Sequence, residues 1–384
     1  MGWAWLYPLA LCASVVVFSV LMPRVAVDLS LAGHSGVEVG FFSMITFLIV
    51  FLSTPVMPRL YRHLGINRAY CLGLVFDLLA VLGFTSLQRY DLLCMTAVLS
   101  GVGACCMWGA TETLIARHAP AEQLGTITGL YQTMLGGVLA IGPFLPGLLH
   151  LSDRQVRLFV LASLGIAFVL VVAAVVLKVK ADLGSISMGG QTSWRQIFSA
   201  MPVLLLAAFV GGVFEAGIGN VGSVQTAGFG VSQERAVFFA GAIAFGSLAM
   251  QWPIGILADR MSYQKLLRAS LVILILSSAL AWVGWQSLTL WWASALIWGG
   301  VGGALYTLAM ISVGHQFRGA NTARYASASI AAYTLGCIAG PFMAGAAFDL
   351  DPRRGVTALL FTVALAAFVL LETRLRLKPL KQEA

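Results

Sequence analysis

The chain has 384 residues, of which 59% are hydrophobic and only 10% are charged, and its formal net charge is +8. This composition excludes a soluble globular protein, because there is too little polar surface to face water. The positive charge does not indicate nucleic-acid binding, since the basic residues punctuate the apolar runs and never cluster in one domain. We interpret them as markers of membrane topology.

Twelve apolar runs are long enough to cross a membrane, which takes about 20 residues. The first run has neither a positively charged start nor a cleavage site of small residues, so we expect a retained helix rather than a signal peptide. We number the runs span 1 to span 12. They cover about 5–27, 37–60, 69–87, 92–116, 124–149, 156–177, 197–223, 234–258, 265–285, 288–314, 323–348 and 355–373.

One polar stretch divides the spans into two sets of six. Its lysines, glycines and serines are typical of a linker. We therefore predict an N-terminal six-helix bundle over 1–177, a cytoplasmic linker over 178–196, and a C-terminal six-helix bundle with a short cytoplasmic tail over 197–384. If both ends are cytoplasmic, 16 of the 23 Lys and Arg residues lie on the inner side, as the positive-inside rule requires.

Two sequence landmarks recur at nearly the same distance along the chain. Gly-Pro-Phe-Leu-Pro-Gly at 142–147 returns as Gly-Pro-Phe-Met-Ala-Gly at 340–345, an offset of 198 residues. The loop of Gly255, Asp259, Arg260 and Lys265 has a degenerate counterpart 197 residues earlier, where Arg62 takes the place of Asp259. Two unrelated landmarks with one offset indicate a doubled chain. Parallel six-helix halves around a midplane site are a membrane design that fits such a repeat.

The loop after span 8 carries a family resemblance. It resembles the G-x-x-x-D-R-x-G-R-R/K loop between the second and third helices of a half in transporters of the major facilitator superfamily. Within that superfamily the chain is most similar to the YcaD-like bacterial branch. The residues that carry this likeness are Gln251-Trp-Pro-Ile-Gly255, Trp108-x-x-x-Glu112, Tyr131, Leu305-Tyr306 and Tyr333-Thr-Leu-Gly336. The resemblance implies an all-α membrane protein of twelve transmembrane helices in two pseudo-symmetric bundles.

The resemblance also implies proton-linked or facilitated movement of small molecules, with two departures from the pattern of proton-linked drug exporters. Those exporters carry an Arg early in span 4, and here Ala97 takes its place, while Ser100 takes the place of a Gln. Coupling through that Arg is therefore excluded. The exporter motif of span 5 is only partly kept, which weakens the antiporter interpretation without removing it.

Ionisable side chains within the spans need a partner, a water-filled cavity or a proton, because a charge at the bilayer centre costs roughly 2.5–3.5 kcal/mol on insertion scales. Glu215 is expected in the outer half of span 7, and Arg24 near the outer end of span 1. The resemblance places spans 1 and 7 opposite each other across the cavity, so these side chains are expected to approach. Three roles for Glu215 stay open. It carries protons or binds substrate, or it forms an ion pair with Arg24 that holds the outer side closed, or it does neither.

Other candidates for the cavity are polar or aromatic. Asp77 is expected near the midplane of span 3, where a protonated Asp bonded to a neighbouring helix is the alternative to a role in coupling. Each of the rest is more readily explained by packing than by binding. They are Asn220, Tyr131, Gln132, Trp298 and Tyr306.

A second group of residues is predicted to gate the inner side. Glu112 lies about one turn inside the inner boundary, where it is expected to pair with the basic turn after span 2 or with Arg117. The resemblance implies that Asp259 caps the start of span 11 while the inner side is closed, since a helix N-terminus favours negative charge. Arg324 could add an ion pair. The predicted gating residues are Gly255, Asp259, Arg260, Lys265, Arg324 and Glu112.

No enzyme or metal-site pattern is visible, and the six cysteines lie in or beside apolar runs without metal spacing. We predict a secondary active transporter, monomeric and without a cofactor, in the bacterial inner membrane. Its partners are a small organic substrate, protons and the lipid bilayer, with no nucleic acid. The favoured mode is proton-coupled efflux by antiport. The alternatives are a facilitator or importer of a small polar solute, and a membrane scaffold or sensor on a transporter fold.

Overall fold

The computed structural model describes residues 5–118, 124–177, 194–317 and 322–377. In these ranges all regular secondary structure is helical, which confirms the predicted all-α membrane fold. The helices are α1 Leu6–Leu31, α2 Gly36–Ser53, α3 Met57–Leu64, α4 Ile66–Ser86, α5 Tyr90–His118, α6 Leu124–Ile141, α7 Leu145–Leu148, α8 Asp153–Val176, α9 Trp194–Ala200, α10 Pro202–Gly212, α11 Gly219–Ala227, α12 Gln233–Ala236, α13 Phe238–Arg260, α14 Tyr263–Val283, α15 Leu288–Gln316, α16 Thr322–Leu350 and α17 Gly355–Leu377.

Ten helices in the described ranges are long and apolar enough to cross a membrane, or eleven if the bent pair Pro202–Gly217 and Gly219–Ala227 is one span. Several predicted spans prove to be composite. Span 2 divides into α2 and α3 around Pro55, because proline cannot donate a backbone hydrogen bond. Span 5 comprises α6, a 3₁₀ turn over Gly142–Phe144 and α7. Most of the predicted linker, residues 178–193, lies outside the described ranges.

The repeat expected from two motifs is visible in the helices themselves. Helices α4 and α14 are both 21 residues long and begin 197 residues apart, at Ile66 and Tyr263. Helices α5 and α15 are both 29 residues long and begin 198 residues apart, at Tyr90 and Leu288. One apolar core lies mainly among α1–α8 and another among α10–α17. The chain is thus built from two similar sets of helices.

The two sets meet at one end of the bundle, which we call the closed end. Asp349 of α16 accepts hydrogen bonds from the backbone N–H groups of Gly36 and Val37, at 2.5 and 2.8 Å, and so caps α2. Gln233 donates to Asp28 at 2.5 Å. A Cβ on Gly345 would lie 1.9 Å from the Gly36 carbonyl oxygen, so only glycine permits this approach. The hydrogen bonds between the sets named here all lie at this end.

Candidate functional site

The helix that carries Glu215 is irregular around that residue. Residues Val213–Gly217 form a π-helical segment between α10 and α11, and the helix bends by 41° just after it, between Gly217 and Gly219. Glycines allow the irregularity, and Gly212 also packs so closely on α16 that a Cβ would lie 2.0 Å from the Tyr333 carbonyl oxygen. Single π-turns within helices are frequent at functional sites. The segment therefore marks a candidate site about halfway along Pro202–Ala227, and its predicted position in the outer half of the membrane stays a prediction.

Two hydroxyl groups from neighbouring helices hold the Glu215 carboxylate. Ser247 of α13 donates to Oε1, and Tyr333 of α16 donates to Oε2 at 3.0 Å. Tyr306 of α15 stacks obliquely on Tyr333, with ring centroids 4.4 Å apart. Glu215 remains partly accessible although protein surrounds it, as expected for a group that lines a cavity. Neither Ser247 nor Tyr333 was among the predicted site residues.

Glu112 of α5 lies at a second polar position. The indole N–H of Trp108, one turn earlier, donates to Glu112 Oε1 at 2.9 Å. The Glu112 side chain is exposed to solvent. The predicted pairing with the basic turn is wrong for this conformation, since Trp108 is the partner. The side chain of Arg117 lies outside the described residues.

Tyr131 lies beside Glu112 and is buried. Its side chain is 1% exposed, yet its hydroxyl has no hydrogen-bond partner among the described residues. Tyr70 nearby is fully satisfied, because its hydroxyl bonds the Tyr7 carbonyl oxygen at 2.9 Å and also Thr111. Buried hydroxyls are normally paired, and Tyr131 is one of nine buried side-chain N or O atoms without a partner in the described part of the chain.

Asp77 is enclosed within the first set of helices. It is 5% exposed and accepts a hydrogen bond from Ser14 of α1. A Cβ on Gly103 would lie 2.5 Å from Asp77 Oδ1, so α5 closes the remaining side. This is the arrangement of the alternative prediction, in which Asp77 bonds to a neighbouring helix. Among the described residues nothing connects it to the cavity.

Arg24 does not meet Glu215 in this structure. Arg24 pairs with Asp153 at the start of α8, and its backbone carbonyl accepts a 3.4 Å hydrogen bond from Gln233. The predicted latch between Arg24 and Glu215 is therefore absent from this conformation. The reason is depth, because Arg24 lies in the last third of α1 near the closed end, whereas Glu215 lies midway along its span.

The remaining predicted cavity residues separate into two groups. Trp298 is fully buried in the second core, where its ring packs edge-on against Trp291 and Phe239, so it does not line the cavity. Asn220 is half-buried in the first turn of α11, just past the break, and Gln132 is half-buried next to Tyr131. Trp298 was misplaced because an aromatic side chain in an apolar helix gives no sign of the face on which it lies.

The predicted gating residues lie at the end opposite the closed end. The side chains of Asp259, Arg260 and Lys265 are exposed, and none belongs to an ion pair among the described residues. Space around Gly255 is open, since no atom lies within 4 Å of a Cβ placed there. The side chain of Arg324 lies outside the described residues, so its pairing with Asp259 stays a prediction.

These features define a class of protein, a multi-span membrane transporter built from two repeated sets of helices. The family model described as "Major Facilitator Superfamily" matches residues 5–341, and the chain belongs to that superfamily. This confirms the resemblance drawn from the loop around Asp259. Among the described residues, no three His, Cys, Asp or Glu side chains are grouped to hold a metal ion.

Two bacterial relatives and a solved fold support this assignment. The chain is 23% identical over 277 residues to "Uncharacterized MFS-type transporter YfkF" of Bacillus subtilis (strain 168), covering 71% of this chain and 69% of that protein. It is 22% identical over 312 residues to "Uncharacterized MFS-type transporter YcaD" of Escherichia fergusonii, covering 79% and 78%. The fold is similar to the crystal structure of the nucleoside transporter NupG, with a TM-score of 0.74, 12% identity and coverage of 99% and 100%. A mutant form of NupG gives a TM-score of 0.76 at 12% identity, with coverage of 97% and 99%.

Proposed function

We propose that this protein is a secondary active transporter that exports a small organic molecule across the bacterial inner membrane in exchange for protons. The observation that carries the proposal is the Glu215 carboxyl group on a broken helix. Its partners are the hydroxyls of Ser247 and Tyr333, not a basic side chain. A carboxyl group held by hydroxyls can gain or lose a proton without breaking an ion pair, as a proton carrier requires.

Alternating access is supported by the difference between the two ends of the bundle. The halves, here taken as 1–177 and 197–384 with a linker between them, bond to each other at the closed end through Asp349 and Gln233. At the opposite end Asp259 and Arg62 are exposed. With both termini in the cytoplasm, the closed end faces outward, and this conformation is open to the inside. The bend at Ile218, three residues after Glu215, is a natural pivot, since helices change direction at such irregularities.

Transport in liposomes tests the proposal. A compound panel is first screened by ligand-dependent thermal shift, and compounds that bind are then followed in counterflow and under an imposed pH gradient. We expect driven transport by the wild type and its loss in Glu215→Gln. Counterflow, which needs no net proton movement, should persist in Glu215→Gln at substrate concentrations that saturate the variant. Asp77→Asn is the matched control, because that carboxyl is enclosed. Driven transport that survives in Glu215→Gln would contradict proton coupling through this residue.

A second candidate is a facilitator or importer of a small polar solute. The observation that favours it is Ala97, which stands where proton-linked exporters carry an Arg. A proton-coupled importer would accumulate substrate under a pH gradient of the opposite direction to the one that drives an exporter. A facilitator would transport substrate at the same rate with or without the pH gradient. If no compound binds and no counterflow occurs, the scaffold or sensor interpretation is favoured instead.

A further inference from the structure

Two carboxyl groups from different halves of the chain face the same region. Glu112 belongs to α5 in the first half, and Glu215 belongs to the broken helix in the second. The Tyr306 hydroxyl lies within electrostatic range of both carboxylates. Both acidic side chains are accessible, since Glu112 is exposed and Glu215 is half-buried. Their common neighbour Tyr306 supports one space that both carboxylates face.

No basic side chain among the described residues neutralises these carboxylates. The ion pairs in those ranges are Arg24–Asp153, His34–Glu38, Arg89–Asp91 and Arg268–Glu372. Glu112 and Glu215 receive only neutral donors, an indole N–H and two hydroxyls. Two carboxylates without a basic partner attract cations into the space that they face, because a cleft lined by one sign of charge raises the local concentration of the opposite sign.

Aromatic rings flank the carboxylates on both sides. Trp108 lies next to Glu112, to which it donates its N–H, and Tyr306 and Tyr333 lie together next to Glu215. Aromatic faces attract cations electrostatically, and they attract ammonium groups that carry apolar substituents in particular. A bare metal ion fits this surrounding poorly, because the carboxylates come from separate helices and no third ligand joins either one.

The unpaired hydroxyl of Tyr131 offers a further polar contact near Glu112. Tyr131 is 1% exposed, its hydroxyl lacks a partner within the described ranges, and Glu112 lies within electrostatic range of it. A buried hydroxyl costs stability unless it is hydrogen-bonded. A molecule that carries a hydrogen-bond acceptor beside its positive charge would satisfy Tyr131 and Glu112 together.

We propose that Glu112, Glu215 and the aromatic residues between them form the binding site for an organic cation, with Tyr131 as an additional polar contact. This substrate class rests on the proposed transport function and adds to it the charge of the transported molecule. Each half contributes one carboxylate, so the bound cation bridges the halves. A neutral solute could enter the same space. The charge of the ligand is therefore the property to test.

Probes of matched shape and opposite charge provide the test. Tetraphenylphosphonium and tetraphenylborate are titrated separately against the purified full chain in nanodiscs, and empty nanodiscs correct for partition into lipid. Benzyltrimethylammonium serves as a smaller cation. We expect saturable binding of at least one cation and none of tetraphenylborate. Equal binding of cation and anion, or no binding of either cation, would overturn the proposal.

Substitutions then locate the site. Glu112→Gln and Glu215→Gln should each weaken cation binding by about 10-fold or more, since each removes one of two charges facing the ligand. Glu112→Asp and Glu215→Asp should retain most of the affinity. Tyr131→Phe should weaken binding of a cation that bears an acceptor without lowering thermal stability. Asp77→Asn should leave binding unchanged. Wild-type affinity in both Gln variants would refute the site.

The outcomes for the site and for transport can be told apart. Cation binding that depends on both carboxylates, without counterflow in liposomes, would support the site and contradict the transport function. Counterflow of a neutral solute that ignores both Gln substitutions would support transport and contradict the organic-cation site. The cation and anion titrations on the wild type decide the substrate class even if a variant fails to fold.

Discussion

The two halves of the chain each bury a carboxyl group in a different way. Asp77 in the first half is 5% exposed, is bonded to Ser14, and is closed in by Gly103. Glu215 in the second half remains partly accessible and is shared between hydroxyls from α13 and α16. Each carboxyl group is bonded to helices of its own half, but Asp77 is enclosed there whereas Glu215 is only half-buried.

The helix that contacts Asp77 and the helix that carries Glu215 also differ, in their regularity. Helix α1 runs unbroken for 26 residues and contains no glycine. Its counterpart in the second half breaks into α10, a π-segment and α11, where Gly211, Gly212, Gly217 and Gly219 concentrate. Glycine permits backbone conformations and close approaches that other residues resist. The two halves thus share a framework, while this particular helix is regular in the first half and irregular in the second.

The largest expected effect separates the two carboxyl groups in transport. Glu215→Gln should abolish transport driven by a pH gradient, because the amide cannot carry a proton. Asp77→Asn should retain it, because the amide oxygen still accepts from Ser14 and the side chain does not reach the cavity. Uptake by liposomes under an imposed gradient measures both variants, with counterflow as the control for folding and binding.

The opposite result would reverse this comparison. If Asp77→Asn lost driven transport and Glu215→Gln kept it, the enclosed carboxyl group would be the coupling residue. Asp77→Ala with Ser14→Ala would then show whether the pair or the proton matters, since removing both partners avoids an unpaired buried hydroxyl.

The next effect concerns the two ends of the bundle. Asp349→Ala removes both hydrogen bonds that cap α2 at the closed end, so it should shift the population away from the conformation described here. Asp259→Asn should shift it the other way, because the contact expected of Asp259 forms only when the opposite end closes. If each contact stabilises its conformation by about 1–3 kcal/mol, its loss would change the ratio of the two conformations roughly 5- to 150-fold.

Distance measurements decide between these shifts. Spin labels at the ends of α5 and α15 nearest Asp259 report the separation of the halves by double electron–electron resonance. We expect longer distances to gain weight in Asp259→Asn and shorter ones in Asp349→Ala. Distributions equal to those of the wild type would exclude the respective aspartate as a gate contact.

The sequence predicted those features that leave a pattern along the chain. The offset of two motifs predicted the repeat, and Glu215 was singled out because a charge in an apolar run demands an explanation. Side-chain partners were not predictable, as Ser247 with Glu215 and Ser14 with Asp77 show. Helix faces toward lipid and toward neighbouring helices are equally apolar, so the periodicity that reveals a buried face in soluble proteins is lost. The rotation of each helix, and hence the position of Trp298, stayed open.

A third test compares two glycines, Gly103 beside Asp77 and Gly303 beside the Ser247 and Glu215 pair. In Gly103→Ala the new Cβ would lie 2.5 Å from Asp77 Oδ1 and 3.0 Å from the Gly73 carbonyl oxygen. Overpacking of this kind costs about 1–3 kcal/mol, so thermal stability should fall. In Gly303→Ala the Cβ would lie 2.6 Å from Ser247 Oγ, a side chain that can rotate away and release Glu215. We therefore expect less loss of stability and a larger change in driven transport.

Melting temperature and transport per folded molecule separate these two variants. Gly103→Ala should lower the melting temperature and leave coupling unchanged in the molecules that fold. If instead Gly303→Ala were the less stable protein and transported normally, Ser247 would be a packing residue with no part in holding Glu215.

The smallest expected effect lies at Arg62, which occupies the place of Asp259 in the first half. Both side chains are exposed at the same end of the bundle, and α4 and α14, which follow them, begin 197 residues apart. An arginine cannot cap a helix N-terminus, because the unpaired N–H groups there favour negative charge. Arg62→Ala therefore removes no gate contact, and exposed substitutions of this kind stay within about 0.5 kcal/mol. The distance distribution between α5 and α15 should remain close to that of the wild type, in contrast to Asp259→Asn. A shift as large as that of Asp259→Asn would mean that both halves gate this end, and the asymmetry inferred from the loop would be wrong.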